Sequence, residues 1–149
     1  MKAITIKQPW ATLIALGLKS FETRSWVTKH RGPIAIHAGK SIDREAYEEF
    51  ANVLKAVGIN SINELPTGSV IAIADLVACH RVKNIEHDEM NMPIANFECG
   101  SLIAGDEFEY GFYEEGRCAW QLRNVQAIDP IRAKGKLSIW EWEETKCQK

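Results

Sequence analysis

The sequence predicts an α+β protein: a mixed or antiparallel sheet of about five or six strands that closes on itself as a small barrel, flanked by helices. Three observations predict it. Strand-like runs are separated mostly by turns, a single long amphipathic helix follows the third of them, and 149 residues with 46% hydrophobic content suffice for one well-buried core but not for two ordinary domains. Residues 1–149 are therefore read as one domain, without an internal repeat or linker.

Ala3–Lys7 alternates as a short strand, and Pro9 suits the first turn of a helix, where its missing N–H costs nothing. That helix runs to about Leu16, with Trp10, Leu13 and Ile14 on one face and Gly17 as its stop. Phe21–Val27 reads as a strand in which Phe21, Thr23 and Ser25 face one way and Glu22, Arg24 and Trp26 the other. Pro33–Ala38 is the third strand, with His37 near its end. Ser41 or Asp43 caps a helix to about Val57, whose apolar stripe is Tyr47, Phe50, Ala51 and Leu54 and which Gly58 closes. Ser69–Ala78 is apolar except for Asp75, as in a strand buried on both faces. From His87 to Gly116 no period is clean, so this stretch reads as an insertion with short helical turns at about 86–116. Strands return at Cys118–Ile128 and Leu137–Trp142, joined through Asp129-Pro130 and the Lys134-Gly135-Lys136 turn. Trp120, Trp140 and Trp142 are expected to fill the barrel or its rim.

Net charge is −2, which does not suggest a strongly basic nucleic-acid binder, but the charges are unevenly spread. Between Lys19 and Lys40 there are five basic residues, Lys19, Arg24, Lys29, Arg31 and Lys40, against Glu22 alone. From Glu86 to Glu115 there are nine acidic residues and no Lys or Arg, a segment expected to face away from any polyanion. Cys79, Cys99, Cys118 and Cys147 form no C-x-x-C pair, which signals neither a zinc site nor a disulfide framework. They are read as reduced thiols, and no metal or cofactor is implied. His80 and His87 lack ligand spacing. The start of the chain lacks a signal-peptide pattern, and no segment reaches the ~20 apolar residues that span a bilayer, so a cytoplasmic location without a membrane partner is expected.

The informative segment combines Gln8-Pro9-Trp10-Ala11, the pattern G-x-K-x-x-E-x-R formed by Gly17, Lys19, Glu22 and Arg24, and Ile36-His37-Ala38. These motifs resemble the signature of ASCH domains, a branch of the PUA-like superfamily, over nearly the whole chain. The resemblance implies a PUA-like barrel and the binding of RNA or a modified nucleoside. Physically, Gly17 lets the chain turn out of the helix and pre-positions the Lys19 ammonium. Glu22 and Arg24 share a strand face, so the carboxylate can hold either cation by a charge-assisted hydrogen bond and aim it at a phosphate or base. Trp26 continues that face as a stacking surface for an unpaired base. Arg24, Lys29, Arg31 and Lys40 are the expected phosphate contacts. The competing reading is an exposed Glu22–Arg24 pair of small energetic value with Trp26 packed on the rim.

Some compact ASCH proteins deacylate N(4)-acetylcytidine with a lysine, a threonine and a carboxylate, and the resemblance carries this onto Lys19 and Asp75. Glu22 occupies the threonine position, which removes the nucleophilic hydroxyl, so a carboxylate, Glu22 or Asp75, would have to activate water while Lys19 stabilises the oxyanion. Ribonuclease chemistry with Lys19 and Arg24 is open on the same residues. Asp75 itself is read two ways, as a pocket acid or as an outer-face residue bonded to backbone. His37 is read as a phosphate contact or proton carrier, or as a packed structural residue. Lys134 and Lys136 around Gly135 read as a phosphate-contacting turn or a solvated basic one. A third class of function, a protein-interaction module using the acidic segment, accounts for the charge asymmetry without any nucleotide.

Overall fold

The computed structural model describes residues 1–144. Along the chain it has β1 (Lys2–Gln8), α1 (Trp10–Ala15), β2 (Phe21–Arg24), β3 (Gly32–Ile42), α2 (Arg44–Glu49), α3 (Ala51–Ala56), a 3-10 turn (Ile62–Glu64), β4 (Ser69–His87), β5 (Pro93–Phe97), β6 (Leu102–Ala104), α4 (Asp106–Glu109), β7 (Cys118–Arg132) and β8 (Ile139–Glu141). The class is α+β, as the sequence predicts. The sheet has eight strands rather than five or six, bonded in the order β2-β7-β4-β3-β1-β8, with β5 on β4 and β6 on β5. That path is mixed and open, not a closed barrel. The chain divides into two compact units: one of Met1–Leu16, Pro33–Ala74 and the chain from Val125, the other of Gly17–Gly32 and Asp75–Asn124.

In the first unit β1 and β3 pair in parallel, Ala3 with Ala35 and Thr5 with His37, and β8 runs antiparallel on the other side of β1, Trp140 opposite Ala3. Parallel strands are covered on both faces, and the alternation follows: Ala3 and Ala35 pack with Val70, Trp140 and Trp142, while Ile4, Ile6, Ile34 and Ile36 on the opposite face are equally buried. In α1, Leu13 and Ile14 are fully buried and Trp10 is half-buried. The predicted second helix bends at Phe50 into α2 and α3, although its hydrogen bonds continue through Phe50 N–H to Ala46 and Leu54 N–H to Phe50. Of the two caps the sequence offers, Asp43 serves, accepting from Ala46 N–H at 2.9 Å.

Gln8, fully buried at the end of β1, explains the first motif. Its Oε1 accepts from Thr12 N–H at 3.0 Å in α1, and its Nε2 donates to Pro66 O at 2.7 Å. One amide thus satisfies a helix-start donor that no cap reaches and pins the loop before β4.

In the second unit, β2 and β7 pair antiparallel with Glu22 opposite Trp120 and Arg24 opposite Cys118. The supposed insertion contains the β5–β6 hairpin, which pairs on β4 with Ala95 opposite Ile85, and then α4. Strands of five and three residues are too short to display a period. Ala95, Phe97 and Ile103 from the hairpin join Val82, Tyr113 and Ala119 in this unit's core, with Phe21 and Phe108 against it. β4 itself runs for 19 residues, and its burial on both faces holds only at its start; Asp75 is half-buried and Val77 exposed.

The Gln8 amide carries a measurable share of stability. Gln8→Ala leaves a buried carbonyl and a buried N–H unpaired and is expected to cost about 1–3 kcal/mol in urea unfolding, with an unchanged m-value.

Candidate functional site

The G-x-K-x-x-E-x-R residues lie in the second unit, and their local geometry follows from the turn that carries them. Gly17 has φ +76°, the left-handed conformation that glycine adopts without strain, so the chain leaves α1 sharply and delivers Lys19 two residues later. Lys19 is 1% exposed, and its Nζ donates to Tyr110 O at 2.8 Å. Burial lowers its pKa below the ordinary lysine value, opposed by the carboxylates of Glu22 and Glu107 and reinforced by Arg24.

Glu107, in α4, is the partner that sequence reasoning missed. Its carboxylate accepts from Ser20 N–H at 3.0 and 3.1 Å and from Phe21 N–H at 3.0 Å, so it clamps the backbone between Lys19 and β2. Burial raises its pKa despite those N–H donors and Lys19. Glu22 is 8% exposed. Arg24 Nη2 approaches Glu22 Oε2 at 3.6 Å, an ion pair outside hydrogen-bond distance, so the expected charge-assisted bond is not formed. Glu22 Oε2 and the Tyr113 hydroxyl are both buried without a hydrogen-bond partner. The burial of Lys19 and Glu22 rules out the exposed-pair reading. The Thr23 Oγ1 is engaged, accepting from Phe112 N–H at 3.1 Å.

The remaining predicted residues of this unit lie around that centre in different settings. β2 ends at Arg24, so Trp26 does not continue its face by strand alternation. Trp26 is 36% exposed, its ring meets Trp120 edge-on with centroids 4.7 Å apart, and its carbonyl accepts from Trp120 Nε1–H at 3.3 Å. Lys29 is exposed; Arg31 is exposed too, but its guanidinium folds back onto Thr28 O and His30 O at 2.9 and 2.8 Å. Asp75 accepts from Asn124 Nδ2 at 3.0 Å, and the carboxylates acting on Lys19 are Glu22 and Glu107. His80 lies between Cys99 Sγ at 3.4 Å and Gln121 Oε1 at 2.9 Å. Cys79, Cys99 and Cys118 are unpaired; Cys147 lies outside the described residues.

His37 and Lys40 belong to the first unit. His37 is 2% exposed and held on both ring nitrogens: Nε2 faces Ala133 O at 2.7 Å, which can only accept, and Nδ1 faces Thr5 Oγ1 at 3.2 Å. Trp140 Nε1–H donates to the same Thr5 oxygen at 3.1 Å. The contacts thus link Trp140, Thr5, His37 and Ala133, with Nε2–H of His37 donating to the Ala133 carbonyl. This is the packed structural histidine of the two readings. Lys40 is exposed and lines an open cleft with Lys134 and Lys136.

Glu107, Tyr110 and Tyr113 could not be assigned to the site from sequence because they reach Lys19 and β2 from about ninety residues away. The nearest signal is Phe108, Tyr110, Phe112 and Tyr113 within an acidic stretch, an aromatic density that a solvated face does not need.

An 80-residue stretch is 36% identical to Activating signal cointegrator 1 of Homo sapiens, covering 51% of this chain and 14% of that protein. An 87-residue stretch is 32% identical to Activating signal cointegrator 1 of Mus musculus, covering 56% and 15%. The chain thus spans about one seventh of the length of these relatives. The crystal structure of ASCH from Zymomonas mobilis superimposes with a TM-score of 0.47 at 19% identity, over 88% of this chain and 72% of that one. The model of the ASCH domain matches residues 4–132, and the chain belongs to the ASCH domain family.

Proposed function

We propose that this protein binds RNA or a modified nucleoside through the Lys19, Glu22 and Arg24 constellation. Family membership, with its PUA-like fold, supports a general RNA-binding role. The observation that carries the finer reading is the spare bonding capacity buried together in the second unit. Lys19 has three donors and one hydrogen bond, to Tyr110 O, and Glu22 Oε2 and Tyr113 Oη have none. Burying such groups unpaired is costly, and the edge of a nucleobase, with a donor beside an acceptor, supplies the partners they lack. Arg24, Lys29 and Arg31 add phosphate contacts on the same unit, and the free face of Trp26 offers stacking. The location is cytoplasmic in this reading. Among the described residues no helix is long and apolar enough to cross a membrane.

A second reading, hydrolysis of an acylated cytidine, draws on one specific observation: burial pushes Lys19 down and Glu107 up, the opposed shifts that acid–base chemistry near neutral pH uses. Glu107 takes the role first considered for Asp75, activating water, while Lys19 stabilises the oxyanion. Glu22 stands where a threonine nucleophile would be, and the Thr23 hydroxyl is engaged by Phe112, so water is the nucleophile. The same carboxylate of the acidic segment would then serve chemistry; a docking role of that segment for a protein partner rests on its remaining acids.

Binding is measured by titrating N(4)-acetylcytidine and a short labelled RNA against the wild type, Lys19→Met and Glu22→Gln. Each variant is expected to lose about 10- to 100-fold in nucleoside affinity, the worth of a hydrogen bond to a charged group. Unchanged affinity in both folded variants would sink the assignment. If hydrolysis occurs, acetate release should disappear in Lys19→Met.

Lys19 also marks the pH dependence of stability. The folded protein holds its pKa below the 10.5 of the unfolded chain, so between the two values the unfolded chain binds more protons and stability rises with pH. Urea unfolding at increasing pH below 10.5 should show that rise in the wild type and a flatter profile in Lys19→Met.

A further inference from the structure

Burial alternates along the end of β7 and the turn after it: Ile131, Ala133 and Gly135 are half-buried, while Arg132, Lys134 and Lys136 are exposed. All three of these cations line one cleft. The inner side is fixed from below. Ala133 O accepts from His37 Nε2–H at 2.7 Å, and Ala133 N–H donates to Gly68 O at 3.0 Å. Gly135 lies against the His37 ring and Thr5 so closely that a Cβ there would fall 2.7 Å from both His37 Cε1 and Thr5 Oγ1. The turn has no room for a side chain at 135, and its seat is a buried ring held on both nitrogens.

The cleft above this seat has a volume of about 890 Å³, within the range of ligand sites. Lys40 of β3 lines it together with Arg132, Lys134 and Lys136. Among the described residues that line it none is Asp or Glu, although the chain as a whole carries 20 acidic against 18 basic residues. Four cations with no acidic side chain among the described lining residues focus a positive local potential in a concave wall, although the chain as a whole carries −2. Among the described lining residues the only aromatic ring, His37, is buried under Gly135. Nothing in the cleft offers a base a platform to stack on.

We propose that this cleft is a second, independent site, which binds the phosphodiester backbone of single-stranded nucleic acid without reading its bases. Backbone contacts of this kind position a strand and carry no sequence information. Four cations match several consecutive phosphates rather than one, which favours an oligonucleotide over a mononucleotide or free phosphate. His37 is a positioning residue here: it holds the turn and touches no phosphate. The site goes beyond the Lys19 reading and does not rest on it.

The test is fluorescence anisotropy of a labelled 12-nucleotide oligouridylate from 50 to 300 mM NaCl, with the wild type, Lys134→Ala/Lys136→Ala, Lys134→Arg/Lys136→Arg and Lys19→Met. Each phosphate contact on a single strand contributes about −0.7 to the slope of log affinity against log salt. The alanine pair should flatten the slope by about 1.4 and weaken binding at 100 mM NaCl, while the arginine pair keeps both. Lys19→Met should leave the slope unchanged, and the alanine pair should leave N(4)-acetylcytidine affinity unchanged, so each site fails or stands separately. Inorganic phosphate at matched ionic strength should not displace the oligonucleotide. A wild-type slope unaltered in the alanine pair, no measurable oligonucleotide binding, or displacement by inorganic phosphate would overturn the proposal.

Discussion

A lysine ammonium removed from water sets the terms for the second unit. The effective penalty of burying a charge is several kcal/mol, and it is offset only where hydrogen bonds and opposite charge are held in place. At Lys19 those are Tyr110 O, Glu22 and Glu107. Two of the three come from one segment, 107–110, and the same Glu107 that opposes the burial of Lys19 also binds the backbone N–H groups of Ser20 and Phe21. The segment that satisfies the charge therefore also fixes the chain that carries it. An acidic stretch that looks dispensable by composition is tied into the structure at its least negotiable point.

That dependence explains what could and could not be read from the residues. The bend at Gly17, the shared face of Glu22 and Arg24 and the burial of Trp120 follow from local geometry, and the structure has all three. Period-2 alternation ends where the strand ends, which is why Trp26 escapes it: β2 stops at Arg24, three residues earlier than the pattern suggests. Asp75 stood out because one carboxylate interrupts an apolar run. β4 is buried on both faces only at its start, and at position 75 the strand is already partly open, with Asn124 as the partner. Glu107 lay hidden for the opposite reason. Nothing in a run of nine acids distinguishes the one whose carboxylate turns inward, because the donors that select it are backbone N–H groups, which leave no mark in sequence.

Gln8 teaches a related lesson about motifs. In Gln8-Pro9-Trp10-Ala11 the side chain that matters is a fully buried amide joining α1 to Pro66, a structural duty, although it sits in the stretch that most suggested a function. His37 belongs with it. Its ring is saturated by Thr5 and Ala133, which leaves no atom for a ligand while making it the rigid base of the 133–136 turn.

The two units thus place charge in contrasting ways. In one, Lys19 and Glu22 are desolvated with bonding capacity left over, an arrangement that rejects any ligand unable to match it, because an unsatisfied buried group costs more than a satisfied one gains. In the other, Arg132, Lys134 and Lys136 are exposed above a buried seat whose ring nitrogens are both engaged, so their attraction is general for polyanions and screened by salt. Desolvated charge selects and hydrated charge gathers. For the two proposed roles, the physical cost of each explains why they fall to different residues: burying Lys134 and Lys136 would forfeit their reach to phosphate, and exposing Lys19 would forfeit its discrimination.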